Sequence, residues 1–185
     1  MLSNSNSQSV QLVDEWLTNV VIGLNLCPFA KKPYKQNQIR YAEITETSQA
    51  ALTEALHDEL TRLENSKESE IETSVLIITQ QLSDFYEYNE FLEIADDLID
   101  NNGWRGVFQI ASFHPDYQFA GTAPSDKENL TNRAPFPLLH LIRESSLDKA
   151  VDAHPDVDSI PEQNIIKMNQ LTKQQIAELF HYLMD

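Results

Sequence analysis

One cysteine, four glycines and 13 basic residues in a chain of 185 set the first limits. A single thiol, Cys27, excludes an intramolecular disulfide and a cysteine-based zinc knuckle, and it fits a reducing compartment. Glycine stands only at 23, 103, 106 and 121. That leaves no dinucleotide or phosphate-loop fingerprint, and no Gly-x-Ser-x-Gly elbow is present either. No apolar run reaches membrane-spanning length, so no transmembrane helix is expected. The opening MLSNSNSQS has neither the basic start nor the apolar middle of a signal peptide. A cytoplasmic protein with flexible residues 1–9 is therefore expected. Bases are outnumbered by 29 acids, for a net charge of −16. Phosphate binding needs a basic face, which argues against a nucleic-acid partner.

What is present is ordinary for a globular protein: 41% hydrophobic and 23% charged residues. The length allows a real core, and one domain over 1–185 is expected. The charge is unevenly placed: +2 over 1–40, −14 over 41–103, +1 over 104–143 and −5 over 144–185. Solvated faces of two surface helices account for the acidic block. The basic balance elsewhere would tolerate a small anionic group near Lys31, Lys32, Arg133 and Arg143.

Hydrophobic periodicity predicts a helix over 10–26, stopped by Pro28. IRYAEIT (39–45) reads as a short strand, and a helix follows from Ser48 to Leu63. TSVLIIT (73–79) is apolar without alternation, the pattern of a strand covered on both faces. Ser83 is placed to cap a helix running to about Asn101, with Gly103 as its stop. Residues 107–113 form the third strand. Pro137 fits the first turn of a further helix carrying Leu138, Leu139, Leu141 and Ile142. Capping boxes at 145–148, 159–162 and 172–175 start three later helical segments. The last carries Ile176, Leu179, Phe180 and Leu183. Strands separated by helices usually lie parallel. The expected fold is α/β: a small, mainly parallel sheet of three strands, or four if one goes unseen, covered by helices, with a C-terminal helical segment. A ferredoxin-like α+β fold is the alternative.

In a parallel sheet, ligands gather where the strands end. Thr45, Thr79-Gln80 and His114 then fall on one edge, and a long polar loop follows His114. His114 is the candidate general acid or base, with Asp116 to orient it. Asn132 and Arg133, just before the predicted helix, suit a carboxylate or phosphate. His140 and Arg143, three apart, would share a helix face with that group. His140 and Glu144 read as an imidazole–carboxylate pair rather than metal ligands, and no metal site is assigned. Cys27, with lysines close in sequence, is a candidate nucleophile only if the fold brings it to the site. No motif indicates a cofactor or an oligomeric state.

Four stretches carry a resemblance: GLNLCPFA (23–30), HPDYQFAGT (114–122), NRAPFP (132–137) and HLIRE (140–144). They resemble a bacterial family catalogued as domain of unknown function 1415, from about Val13 to Asn164. Phe136 stands where a tyrosine is expected. The resemblance implies that Cys27, His114, Asp116, Arg133, His140 and Arg143 belong to shared motifs, and it assigns them no roles.

The leading expectation is a small cytoplasmic enzyme acting on a small anionic molecule. His114, Asp116 and His140 would be catalytic, and Asn132, Arg133 and Arg143 would bind substrate. The rivals are a non-catalytic metabolite-binding or regulatory module, and a protein-interaction domain with Tyr117, Phe119 and Phe136 as an exposed anchor. Placement decides among them: convergence of these side chains on a cleft favours the enzyme, and a flat aromatic patch favours the interaction surface.

Overall fold

The computed structural model describes residues 7–153 and 156–184. Four strands, β1 (Ile39–Ile44), β2 (Thr73–Ile78), β3 (Phe108–Phe113) and β4 (Leu138–Arg143), make one sheet in the order β1-β2-β4-β3. β1 and β2 pair in parallel, while β4 runs antiparallel to both β2 and β3. The first three strands therefore share a direction, and the fourth opposes them. The fold is α/β as expected, but the sheet is mixed rather than mainly parallel. The parallel β1–β2 pair and the strand order also differ from the ferredoxin-like alternative.

β4 stands where a helix from Pro137 was expected. The segment LLHLIR is six residues long, and Leu138, Leu139 and Leu141 are fully buried. A short apolar run buried on both sides carries no periodicity to tell strand from helix, and its length is that of a strand. Pro137 has no N–H to lose at a strand entry. Its carbonyl accepts the Ile78 N–H at 3.0 Å.

Helices α3 (Gln49–Glu64) and α4 (Phe85–Asn101) cover one face of the sheet. Leu52, Leu56, Leu60, Tyr88, Phe91 and Ile99 pack there on Ala42, Leu76, Ile78, Leu139 and Leu141. Asp84, not Ser83, caps α4 by accepting the N–H groups of Tyr86 and Glu87. The other face carries α1 (Gln8–Trp16), α6 (Ile160–Gln170) and the C-terminal segment, through Val13, Trp16, Leu17, Met168 and Phe180. α2 (Lys31–Lys35), α5 (Glu144–Asp152) and α7 (Lys173–Leu179) lie at the margins. The capping box at Thr172–Gln175 forms. The one expected at Ser159 does not: its hydroxyl donates to the Asp156 carbonyl at 3.1 Å. α5 begins at Glu144, ahead of the expected box at 145–148. Ser7 caps α1, so 7–9 belong to the first helix and its cap; residues 1–6, the rest of the expected flexible start, lie outside the described residues. No helix among the described residues is long and apolar enough to cross a membrane.

α1 continues into a π-helical stretch, Leu17–Ile22. Widening by one residue per turn brings the Gly23 N–H to the Thr18 carbonyl at 2.9 Å and the Leu26 N–H to the Val21 carbonyl at 2.8 Å. A Cβ at Gly23 would lie 2.3 Å from the Asn19 carbonyl oxygen. In an ordinary helix, exchanging glycine for alanine is favourable by about 1 kcal/mol. Here the sign reverses. Gly23→Ala is expected to lose about 2 kcal/mol in urea unfolding, and an unchanged or higher midpoint would show that the π turn relaxes freely.

Candidate functional site

The edge where β1, β2 and β3 end does gather the His114 loop. His114 is completely buried, between the rings of Phe85 and Tyr88 at centroid distances of 5.2 and 5.1 Å. Its Nδ1 accepts the Asp116 N–H at 3.0 Å, so Nε2 carries the proton and donates to the Leu82 carbonyl at 2.9 Å. Burial pushes its pKa down. Both ring nitrogens are thus engaged with backbone. Leu82 presents its carbonyl from a left-handed conformation, φ 58°.

The rest of the loop binds itself in the same way. Buried Asn129 accepts the Phe119 N–H at 2.9 Å and donates to the Ala123 carbonyl at 2.8 Å. Asn132 donates to the Ser112 carbonyl at 3.1 Å, and its own carbonyl accepts the His114 N–H. Arg133 donates to the carbonyls of Tyr117 and Pro124 at 3.2 and 2.8 Å. Burial lowers the Arg133 pKa, and exposed Asp116 pulls it back up. His114, Asp116, Asn132 and Arg133 are therefore brought together, and three of the four side chains hydrogen-bond the loop's own main chain or the end of β3.

His140 and Arg143 are not part of this cluster. Three apart on a strand, they point to opposite faces, whereas a helix would have aligned them. Arg143 lies on the α3 side, 5.8 Å over the Phe108 ring. It donates to the carbonyls of Leu63, Ser66 and Ile71, closing the C-terminal end of α3. The shared helix face expected for His140 and Glu144 is absent because His140 stands on β4 and Glu144 begins α5.

His140 projects from the centre of the sheet into a cavity of ≈ 530 Å³ on the opposite face. Apolar side chains dominate its walls: Trp16, Leu17, Val75, Ala111, Phe113 and Leu138. Cys27, Tyr41 and Thr73 also line it, with Lys32, Glu68, Glu72 and Lys149 among its charged residues. Neighbouring Ser145, Ser146 and Lys149 bond the Glu68 carboxylate. The Lys149 hydrogen bond does most to hold Glu68 below the usual carboxylate range.

The hydrogen bonding of His140 fixes its tautomer. The Thr73 hydroxyl donates its one proton to the Leu141 carbonyl at 2.5 Å. Its contact with His140 Nε2, at 2.6 Å, is then the other way round: Nε2–H donates and Thr73 accepts. Nδ1 keeps its lone pair, makes no hydrogen bond to a described residue and is open to the cavity. Burial alone holds the imidazole pKa down, to about 4. Cys27 is half-buried in the same cavity; desolvation raises its thiol pKa, and the N–H groups of Phe29 and Ala30, directed at the sulfur, oppose that rise.

A smaller hollow of ≈ 370 Å³ lies along β1 beside Arg40 and Glu59. Those two are paired to each other at 2.7 Å, and Ser74 donates to Glu59 at 2.8 Å, so its buried charge is internally satisfied. Among the described residues, no three His, Cys, Asp or Glu side chains cluster closely enough to hold a metal ion. Trp16, Tyr41 and Thr73 were not singled out by sequence reasoning. Trp16 and Tyr41 sit within apolar patterns that predict core, and Thr73 opens the 73–79 run read as a strand covered on both faces.

Residues 8–178 match the family described as a protein of unknown function, DUF1415, and the chain belongs to it. No curated protein and no solved structure matches the chain.

The His140 environment sets a pH dependence. Its ordinary value is 6.5 and its folded value about 4, so the unfolded chain takes up the proton first as pH falls. The stability contributed by neutral His140 is complete above 6.5 and is lost progressively down to about 4. The full loss is on the order of 3 kcal/mol. His114, shifted in the same direction by burial, adds to the same slope. Urea midpoints measured from about pH 7 down to about pH 4.5 should fall in the wild type and fall less in His140→Leu. Equal slopes would contradict the buried, neutral imidazole.

Proposed function

We propose that this protein binds a small molecule with a mainly apolar body in the cavity on the α1 side of the sheet, and that His140 and Cys27 meet its polar or reactive end. The observation that carries this reading is a hollow of ≈ 530 Å³ with apolar walls and one imidazole nitrogen left without a partner. Pockets of this size and character are the usual form of small-molecule sites. Sequence reasoning favoured a site in the 114–143 loop and helix and an anionic substrate. Arg133 and Arg143 are both engaged with backbone carbonyls, so the present reading rests on neither. The interaction-surface alternative also loses support, because Tyr117, Phe119 and Phe136 are each half-buried. Tyr117 packs on Phe85 and Phe119 at 5.3 and 5.0 Å. The setting we propose is cytoplasmic, on the single thiol, without nucleic acid or membrane as partner.

An enzymatic reading is favoured by one observation: Cys27 lies in the same cavity as His140. Two amide N–H groups directed at its sulfur would stabilise a thiolate once a ligand changed its surroundings. Binding is the common requirement of both readings and is tested first. N-phenyl-1-naphthylamine, a neutral fluorescent probe, is expected to bind folded protein saturably at one site. Ala111→Phe, which fills the cavity from β3, should abolish that binding with the fold retained by circular dichroism. Failure of the wild type to bind, or undiminished binding by Ala111→Phe, would remove the cavity from consideration. Should binding hold, Cys27→Ala separates the two readings, since a purely binding module keeps its function without the thiol.

A further inference from the structure

The polar groups that line the cavity differ in what they have left to offer. Tyr41 donates its hydroxyl to the Asp14 carboxylate at 2.9 Å. The Thr73 hydroxyl gives its proton to the Leu141 carbonyl and takes one from His140. The Cys27 sulfur faces two backbone N–H groups. Glu68 and Lys149 are paired at 3.0 Å. The Trp16 indole N–H is buried without a partner and can only donate. The imidazole of His140 differs in kind: one nitrogen is fixed as a donor to Thr73, and the other is an unpartnered lone pair that can only accept.

That asymmetry fixes the complementary group. A lone pair among apolar walls is satisfied by an incoming hydroxyl or N–H. A carboxylate or phosphate would set its own lone pairs against it, and the surroundings disfavour the protonated ring that could reverse this. We infer that the cavity selects an uncharged molecule whose apolar body carries one hydroxyl or N–H donor, delivered to Nδ1 of His140. This rests on the cavity being the ligand site, and it narrows the anionic substrate class expected from the sequence to its opposite. Thr73 is the positioning residue: by accepting Nε2–H, it keeps the lone pair on Nδ1.

A matched series tests the inference: 4-pentylphenol, its methyl ether 4-pentylanisole, and 4-pentylbenzoate, titrated calorimetrically into the full-length protein at neutral pH. The phenol should bind at least about tenfold more tightly than the ether, the size of one net hydrogen bond in a buried site. The benzoate should be weaker than the phenol. In His140→Leu the phenol–ether difference should vanish while ether binding persists, which also reports that the cavity is still formed. Thr73→Val should narrow the difference with the imidazole present. An ether that binds wild type as well as the phenol overturns the inference and leaves the pocket standing. So does a benzoate that binds most tightly, which would point to an anion held at the rim by Lys32. Binding of none of the three removes the pocket, and the inference with it.

Discussion

β4 lies between β2 and β3 and is hydrogen-bonded on both sides, so its side chains have only two directions open to them. Leu139 and Leu141 enter the core under α3 and α4, and Arg143 follows them to close the end of α3. Leu138 and His140 go the other way. A polar ring at the centre of a sheet has little room to move. Its hydrogen bonds are therefore set by its strand neighbours. Directly across on β2 stands Val75, which offers none; the diagonal neighbour Thr73, opposite Ile142, supplies a hydroxyl already committed to a carbonyl. One bond fixes the tautomer, and the tautomer fixes what the cavity can recognise.

Two histidines in this chain, His114 buried and His140 half-buried, reach the same protonation pattern with different consequences. Each carries its proton on Nε2, and burial lowers the pKa of each. At His114 both nitrogens are saturated by backbone, from Leu82 on one side and Asp116 on the other. The ring acts as a rivet between the start of α4 and the loop after β3, and Asn129, Asn132 and Arg133 finish that job by tying the loop to itself. At His140 only one nitrogen is saturated. The structural histidine is fully buried with both nitrogens bonded, whereas His140 is half-buried with one nitrogen open to the cavity.

Much of this was legible in the sequence. The three strands at 39–44, 73–78 and 108–113 follow from β-branched and apolar runs, and their common edge follows from the helices between them. α3 and α4 follow from apolar spacing. The fourth strand was not legible, because LLHLIR satisfies helix and strand patterns equally and the preceding proline suits the start of either. That one ambiguity moved the candidate site. Read as a helix, His140 and Arg143 share a face and join His114; read as a strand, they separate, and His140 joins Cys27 instead. The His114 loop was located correctly, yet a polar loop rich in Asn, Asp and Arg looks the same in sequence whether its side chains face a ligand or their own backbone. Only the hydrogen-bond partners of Asn129, Asn132 and Arg133 distinguish the two. The cavity itself is assembled from α1, α5 and all four strands, a conjunction that no local pattern announces.

The account therefore turns on one imidazole, and nitrogen NMR on protein labelled at histidine reads it directly. His140 should show a protonated Nε2 and a bare Nδ1, with no titration until the pH approaches about 4. Its bare nitrogen alone should shift when 4-pentylphenol is added. A His140 that titrates near the ordinary 6.5, or that carries its proton on Nδ1, would contradict the account.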